Sequence, residues 1–262
     1  MRAPYSDLPA ITDLPAVTAD ILDRVRQRHP RVHCITNAVA QTFTANMLLA
    51  AGAVPSMTIA LKEVRAFVAR ADALLVNLGT FDPERQKASL AAIAVANKAG
   101  IPWVLDPVFI DRSPPRAAFA KTLVAKKPRA LRLNRAEFAA LAGGKSDDLA
   151  LARFAKARRT VVGLTGERDL VQDGSRAAGI SNGDPLMARV TAMGCAASAL
   201  VGACLAVEPD AWKATSAALI IIGVAGEIAA ARSRGPGSFA VEILDAVHGL
   251  DRASLIAKAK VS

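Results

Sequence analysis

The sharpest chemical feature of the chain is Thr191-Ala192-Met193-Gly194-Cys195, a glycine-containing turn that opens a long uncharged run. Such a turn ahead of a helix exposes backbone N–H groups, and the helix dipole adds positive potential at the same point. The combination suits an anionic phosphate passing through a transition state. The same field lowers the pKa of a cysteine, so Cys195 is expected to be able to act as a thiolate. The alternative is that it packs as a small hydrophobe, the role read for Cys204, but its place at the helix mouth favours function.

A second set of candidates lies where predicted strands end. These are Thr36-Asn37, Asn77-Leu78-Gly79-Thr80, Asp106-Pro107, Asn134 with Glu137, and Thr165-Gly166-Glu167. Ligands of parallel α/β sheets bind at the carboxyl ends of strands. Each site alone reads equally well as a helix N-cap; together they favour a polar crevice along one edge of a sheet. Asp106 and Glu137 are the carboxylates available to hold one metal ion. No Walker-type P-loop occurs, and no GxGxxG follows a strand. His29, His33 and His248 lack zinc-ligand spacing; His29 and His248 read as surface residues, and His33 as a satisfied structural histidine within a strand. Cys34, Cys195 and Cys204 make neither a closed disulfide framework nor a CxxC pair.

The elements that must position these residues alternate between β-branched runs and Ala-rich stretches, the pattern of a parallel sheet covered on both faces. Strands are expected at Arg31–Thr36, Ala73–Leu78, Pro102–Asp106, Arg129–Leu133 and Thr160–Thr165. Helices are expected at Ala40–Ala51, at Pro83–Ala99, from Arg135, and near Asp148–Arg158. Leu170–Gln172 and Ala177–Ile180 read as an antiparallel pair turning at Asp173-Gly174. Beyond them the chain reads as helix over Cys195–Val207, Ala211–Ala231 and Phe239–Lys260. The fold class is α/β with a mostly parallel central sheet, in one domain spanning 1–262, with residues 1–19 as an extended N-terminal segment.

Composition narrows the function classes. With 262 residues, 52% of them hydrophobic, the chain can bury a sizeable core. A net charge of +10 invites a nucleic-acid reading. The basic residues are scattered, however, and only 4% of residues are aromatic, which argues against such a partner. Val190–Val207 carries no charge over 18 residues, but its Ala, Gly, Ser and Cys content suits a buried helix better than a membrane span. No signal-peptide core occurs near the N-terminus, so a cytoplasmic location is expected.

An ordered series of segments resembles the hydroxyethylthiazole kinase family of thiamine salvage. It runs through Val32-His33-Cys34-Ile35-Thr36-Asn37, Gly52-Ala53-Val54-Pro55-Ser56-Met57, Asn77-Leu78-Gly79-Thr80, Val104-Leu105-Asp106-Pro107-Val108, Asn134-Arg135-Ala136-Glu137, Leu164-Thr165-Gly166-Glu167, Asn182-Gly183-Asp184 and Gly194-Cys195. The resemblance implies a ribokinase-like three-layer αβα fold. It also implies transfer of the γ-phosphoryl group of ATP, with Mg²⁺, to the primary hydroxyl of 4-methyl-5-(2-hydroxyethyl)thiazole. Met57 and Asn37 would then face the thiazole, with Ala192 beside it. Arg132, Thr165 and Asn134 would bind ATP, and Asp106 and Glu137 would lie near the metal. Cys195 stands where related sugar kinases place an aspartate base, and Gly194 belongs to the anion hole. A homotrimer is likewise implied.

The chain also departs from the family pattern. Ala192 stands where the first glycine of Thr-Gly-x-Gly-Cys is usual, Leu133 replaces a usual glycine, and Asp111-Arg112 replace a small Gly-Ala pair. If the first position needs φ > 0, Ala192 carries a cost. These departures keep two alternatives open: a kinase for another small alcohol on the same scaffold, or a thiazole-binding protein with weakened catalysis.

Overall fold

The computed structural model describes residues 13–144 and 146–262. Eight strands follow one another along the chain: Arg31–Ile35 (β1), Val54–Ser56 (β2), Ala73–Asn77 (β3), Trp103–Asp106 (β4), Ala130–Asn134 (β5), Val161–Thr165 (β6), Asp169–Gln172 (β7) and Ala177–Ile180 (β8). They form one sheet in the order β2-β1-β3-β4-β5-β6-β7-β8. The first six strands pair in parallel, and β7 and β8 add antiparallel.

Helices cover both faces, which is why these strands read as continuous apolar runs rather than as alternating ones. Leu14–Arg28 (α1), Gln41–Ala50 (α2), Val64–Ala69 (α3), Pro83–Ala99 (α4), Pro114–Val124 (α5) and Arg135–Ala142 (α6) come first. Asp148–Arg158 (α7), Met193–Val207 (α8), Ala211–Arg232 (α9), Pro236–Gly249 (α10) and Arg252–Lys258 (α11) follow. Successive side chains of a strand point to opposite faces. In β3, Leu75 joins a core with α1, α2 and α8 to α11, whereas Leu74 and Val76 join a second core with α3 to α7. The result is the expected three-layer αβα architecture. Apolar α9 is 22 residues long, enough to cross a membrane, yet most of it is buried inside the fold against α1, α8 and α10.

Two expectations need correction. Residues 14–19, expected to be extended, begin α1; a proline sits in its first turn, and Leu14, Thr18, Ile21, Leu22 and Val25 form its buried stripe. Residues 1–12 of that segment lie outside the described residues. The single helix expected over Phe239–Lys260 is two, because Arg26 donates to the carbonyls of Val247, His248 and Leu250 (3.0, 2.8 and 2.7 Å) and closes α10. Asp251 then caps α11 by accepting from the Ser254 N–H at 2.7 Å. Helices α3 and α5 and strand β2 had no expectation; β2 has only three residues and α3 only six, too few to show a period.

The chain passes from β1 outward to β2, then returns to β3 on the other side of β1. A crevice opens outside the carboxyl ends of strands at such a switch. Asn37 and Asn77 stand on its two sides.

Candidate functional site

Strands β1, β3 and β4 bring Asn37, Asn77 and Asp106 to one edge, and the N-terminus of α8 brings Gly194, Cys195 and Ser198 against them. Asn77 Nδ2 donates to Asp106 Oδ2 (2.7 Å) and to Cys195 Sγ (3.3 Å), while its Oδ1 accepts from Asn37 Nδ2 (3.1 Å) and the Gly79 N–H (2.9 Å). Asn37 Nδ2 also donates to Cys195 Sγ at 3.1 Å, and its Oδ1 accepts from the Ala40 N–H at 2.9 Å. The Ser198 hydroxyl donates to Asp106 Oδ2 at 2.8 Å. Gly79 is required here by closeness: a Cβ on it would lie 2.6 Å from Asn37 side-chain atoms.

Electrostatics overturn one expectation. Burial pushes the Cys195 thiol up to about 11, the Asp106 charge adds to that, and the amides of Asn37 and Asn77 and the cation of Arg132 only partly oppose it. The positive potential of the helix mouth therefore does not produce a thiolate near neutral pH. Cys195 is a thiol whose sulfur accepts two amide hydrogens and whose S–H remains to be placed. Asp106, 1% exposed, is pushed up to about 6, chiefly by burial, with Arg132 pulling it down and Glu137 pushing it up. His33 is the satisfied structural histidine expected: Nε2 meets the Thr58 carbonyl at 3.0 Å and Nδ1 the Ser56 hydroxyl at 2.8 Å. Burial holds it down at about 4, and it is neutral.

Beside this network lies a cavity of about 690 Å³, walled by Arg132 and Thr165 on one side, Asn182–Asp184 on another and Met193-Gly194 at the mouth of α8. Arg132 packs on Gly194 so closely that a Cβ there would lie 2.7 Å from its Nη1. Its Nε is buried and has no hydrogen-bond partner among the described residues. A guanidinium whose Nε has no hydrogen-bond partner among the described residues and a helix N-terminus therefore converge on one point, an arrangement suited to an anion.

The family model described as the hydroxyethylthiazole kinase family matches residues 22–253. The chain belongs to that family. A probable hydroxyethylthiazole kinase of Agrobacterium fabrum is 43% identical over 246 residues, covering 94% of this chain and 95% of its own. A solved hydroxyethylthiazole kinase structure from Pyrococcus horikoshii superposes with a TM-score of 0.90 at 36% identity, covering 94% of this chain and 98% of its own. A ribokinase-like superfamily protein from Enterococcus faecalis, with a TM-score of 0.70 at 13% identity over 89% of this chain and 95% of its own, shares the fold alone.

Within this hydroxyethylthiazole kinase family member the expected site residues divide into groups. Asn37, Asp106, Gly194 and Cys195 meet at the switch-point crevice, and Arg132 and Thr165 line the adjoining cavity. Met57 follows the end of β2 and packs partly buried against the larger core. Asn134 and Glu137 form the capping box of α6. Glu137 accepts the Phe109 and Asn134 N–H groups, one on each oxygen and both at 2.9 Å, and neither residue lines the cavity. Ser198 and Asp169 had no expectation. The signal for Ser198 was its helical spacing from Cys195; Asp169, pushed up to about 6 by burial and tied to the Gly166 N–H, had none.

Ala192 takes φ +69°, the left-handed conformation that its position in the family turn suggested. For a residue with a Cβ this costs about 1–2 kcal/mol, part of which the looser unfolded chain of a glycine variant returns. Ala192→Gly is therefore expected to stabilise the fold by about 0.5–1 kcal/mol and to raise Tm by about 2 °C. Thermal unfolding of the two proteins checks it, and a lower Tm for the glycine variant would mean that packing of the methyl outweighs the strain.

Among the described residues no group of three or more His, Cys, Asp or Glu could enclose a metal. The donors to Asp106 reach Oδ2, leaving Oδ1 without a protein hydrogen bond among the described residues. One carboxylate oxygen fits Mg²⁺, which keeps most of its waters and is commonly shared with substrate phosphates. Both oxygens of Glu137 are already engaged, so direct ligation would fall to Asp106, with Glu137 supplying nearby charge.

Proposed function

We propose that the chain transfers the γ-phosphoryl group of ATP to the primary hydroxyl of 4-methyl-5-(2-hydroxyethyl)thiazole, with Mg²⁺, in cytoplasmic thiamine salvage. The observation that carries this reading is the convergence of Arg132, the α8 N-terminus and the Cys195 thiol. An anion receptor then stands directly beside a group that can hold an alcohol.

Phosphoryl transfer runs through a loose transition state with charge spread over the equatorial oxygens. Arg132 and the N–H groups of Met193 to Cys195 would neutralise that charge, and they are fixed before substrate arrives. Cys195 would orient the alcohol, held in turn by the amides of Asn37 and Asn77. A thiol displaced to about 11 is no resting base, but the alcohol proton departs late in such a reaction, so orientation is the larger need. Mg²⁺, when bound through Asp106, would supply charge neutralisation of the polyphosphate. Thr165 and Arg132 would meet the nucleotide, and Met57 would give the neutral thiazole an apolar wall near the open side of β2. The apolar side chains of Val39, Leu49, Val54 and Phe67, 44–73% exposed around α2, β2 and α3, support a subunit interface on that side. A homotrimer completes the reading, and sedimentation tests it.

The deciding experiment is an ATP- and Mg²⁺-dependent assay on the hydroxyethylthiazole, with the phosphate ester identified by phosphorus NMR. Product supports the reading. Silence on the thiazole with turnover of another small alcohol would sink it in favour of a different acceptor, a possibility kept by Phe109, at φ +59°, and its neighbours Asp111-Arg112. The orienting role of Cys195 makes a separate prediction. Cys195→Ser is expected to keep kcat within about fivefold and Cys195→Ala to lower it by about 10- to 100-fold. The wild-type kcat should not climb between pH 8 and 10; a rise across that range that the serine variant lacks would instead reveal a thiolate base.

A further inference from the structure

We propose that Glu227 on α9 and the segment Ala259–Ser262 form a strap that sets the Asn182–Asp184 wall of the nucleotide-side cavity. Glu227 is thereby a positioning residue for the nucleotide. The inference rests on reading that cavity as the ATP site.

Strand β8 is the outermost strand of the sheet, and its free edge is a row of unsatisfied backbone groups. The segment pairs with it antiparallel. The Gly179 N–H donates to the Ser262 carbonyl at 2.7 Å, the Ser262 N–H returns to the Gly179 carbonyl at 3.0 Å, and the Ser181 N–H donates to the Lys260 carbonyl at 2.9 Å. The next residue, Asn182, is held by every group of its amide. Its Oδ1 accepts from the Lys260 N–H (2.7 Å), and its Nδ2 donates to the Lys258 carbonyl (2.8 Å) and to Glu227 Oε1 (3.1 Å). The same Glu227 oxygen accepts from the Gly183 N–H (3.2 Å) and from Lys260 Nζ (3.0 Å). One carboxylate oxygen thus gathers two donors of the cavity wall and one of the strap.

The packing beneath the wall fits this role. A Cβ at Gly223 would lie 2.8 Å from Asn182 Cβ, and one at Gly226 would lie 2.6 Å from Met187 Sδ. Glycines on α9 let the wall lie directly on the helix, and Glu227 fixes it there. Asn182, Gly183, Asp184 and Met187 line the cavity, whereas Glu227 and Lys260 do not. Their effect on a nucleotide therefore passes through the wall.

The test measures ATP affinity by calorimetry, without acceptor alcohol, on the wild type, Glu227→Ala, Glu227→Gln and Lys260→Ala, with Tm and KM for the alcohol alongside. Glutamine keeps an acceptor oxygen for Asn182 and Gly183. Glu227→Ala is expected to weaken ATP binding about tenfold, with KM for the alcohol within twofold of wild type and Glu227→Gln within about threefold in ATP affinity. Should Glu227→Ala not fold, exposed Lys260→Ala carries the test, with an expected loss of two- to threefold in ATP affinity alone. Unchanged ATP affinity in a folded Glu227→Ala or in Lys260→Ala, or equal losses for ATP and alcohol, overturns the strap while leaving the ATP reading intact. A wild type that does not bind ATP overturns both.

Discussion

Arg132→Met is expected to lower kcat/KM for ATP by about 10²- to 10³-fold while leaving Tm nearly unchanged. The loss follows from what the guanidinium does: it sits over Gly194 at the mouth of α8, where charge would develop on the transferring phosphoryl group. Removing one fixed donor of that kind costs on the order of 10²–10³ in rate. The stability side follows from what the cation lacks. Its Nε is buried without a hydrogen-bond partner among the described residues, a cost that an apolar side chain of similar length removes, and against that gain stands the loss of its attraction to the Asp106 and Asp169 carboxylates. Arg132→Lys is expected to recover only part of the rate, since a compact ammonium cannot present the planar fork to two phosphate oxygens. Steady-state kinetics across ATP concentrations, with thermal unfolding beside them, check this. A kcat/KM within fivefold of wild type, or a large fall in Tm, would place Arg132 in the scaffold rather than the chemistry.

How far the sequence carries depends on how far apart the interacting residues are. The parallel strands and the helices around them carry local signals: β3 can be read within a residue because burial on both faces leaves almost only apolar types, and α4 because Pro83 opens it and Gly100 closes it. Family resemblance and the strand-end rule then carry Asn37, Asp106 and Cys195 to one crevice. What stays hidden is set by contacts over long separations. The strand ends place Asn77 and Asp106 on that same edge of the sheet, but their hydrogen bond across 29 positions, and that of Ser198 to Asp106 across 92, are set by the folded packing alone. The break between α10 and α11 depends on Arg26, more than 200 residues away. The thiol state of Cys195 escapes the sequence for a related reason. A helix N-terminus is visible in sequence, but the burial and the neighbouring carboxylate that outweigh it are properties of the folded site. Ala192 shows the opposite case: a single departure from a glycine pattern was enough to anticipate a positive φ.

Asp106→Asn separates function from stability most sharply, because the two should move in opposite directions. The carboxylate is buried and held up near 6, against an ordinary value of 3.8. A folded-state pKa above the unfolded one means that the folded protein binds the proton more tightly. The wild type therefore keeps its full stability below about pH 4 and loses part of it as pH rises through 6, where the carboxylate must ionise in place. The gap corresponds to about 2–3 kcal/mol once ionisation is complete. Asparagine has no charge to develop, and its carbonyl can replace Oδ2 as the acceptor for Asn77 and Ser198. In metal-free buffer the variant is expected to match the wild type at pH 4 and to exceed it by about 2 kcal/mol at pH 8, read from denaturant unfolding at both pH values. Its kcat is expected to fall by about 10²-fold or more, since the oxygen left for Mg²⁺ becomes an amide group. A variant less stable at pH 8 than the wild type would show that the carboxylate is held by its partners more firmly than burial opposes it. Near-normal turnover would remove Asp106 from the metal's neighbourhood and leave it a structural link between β4 and α8.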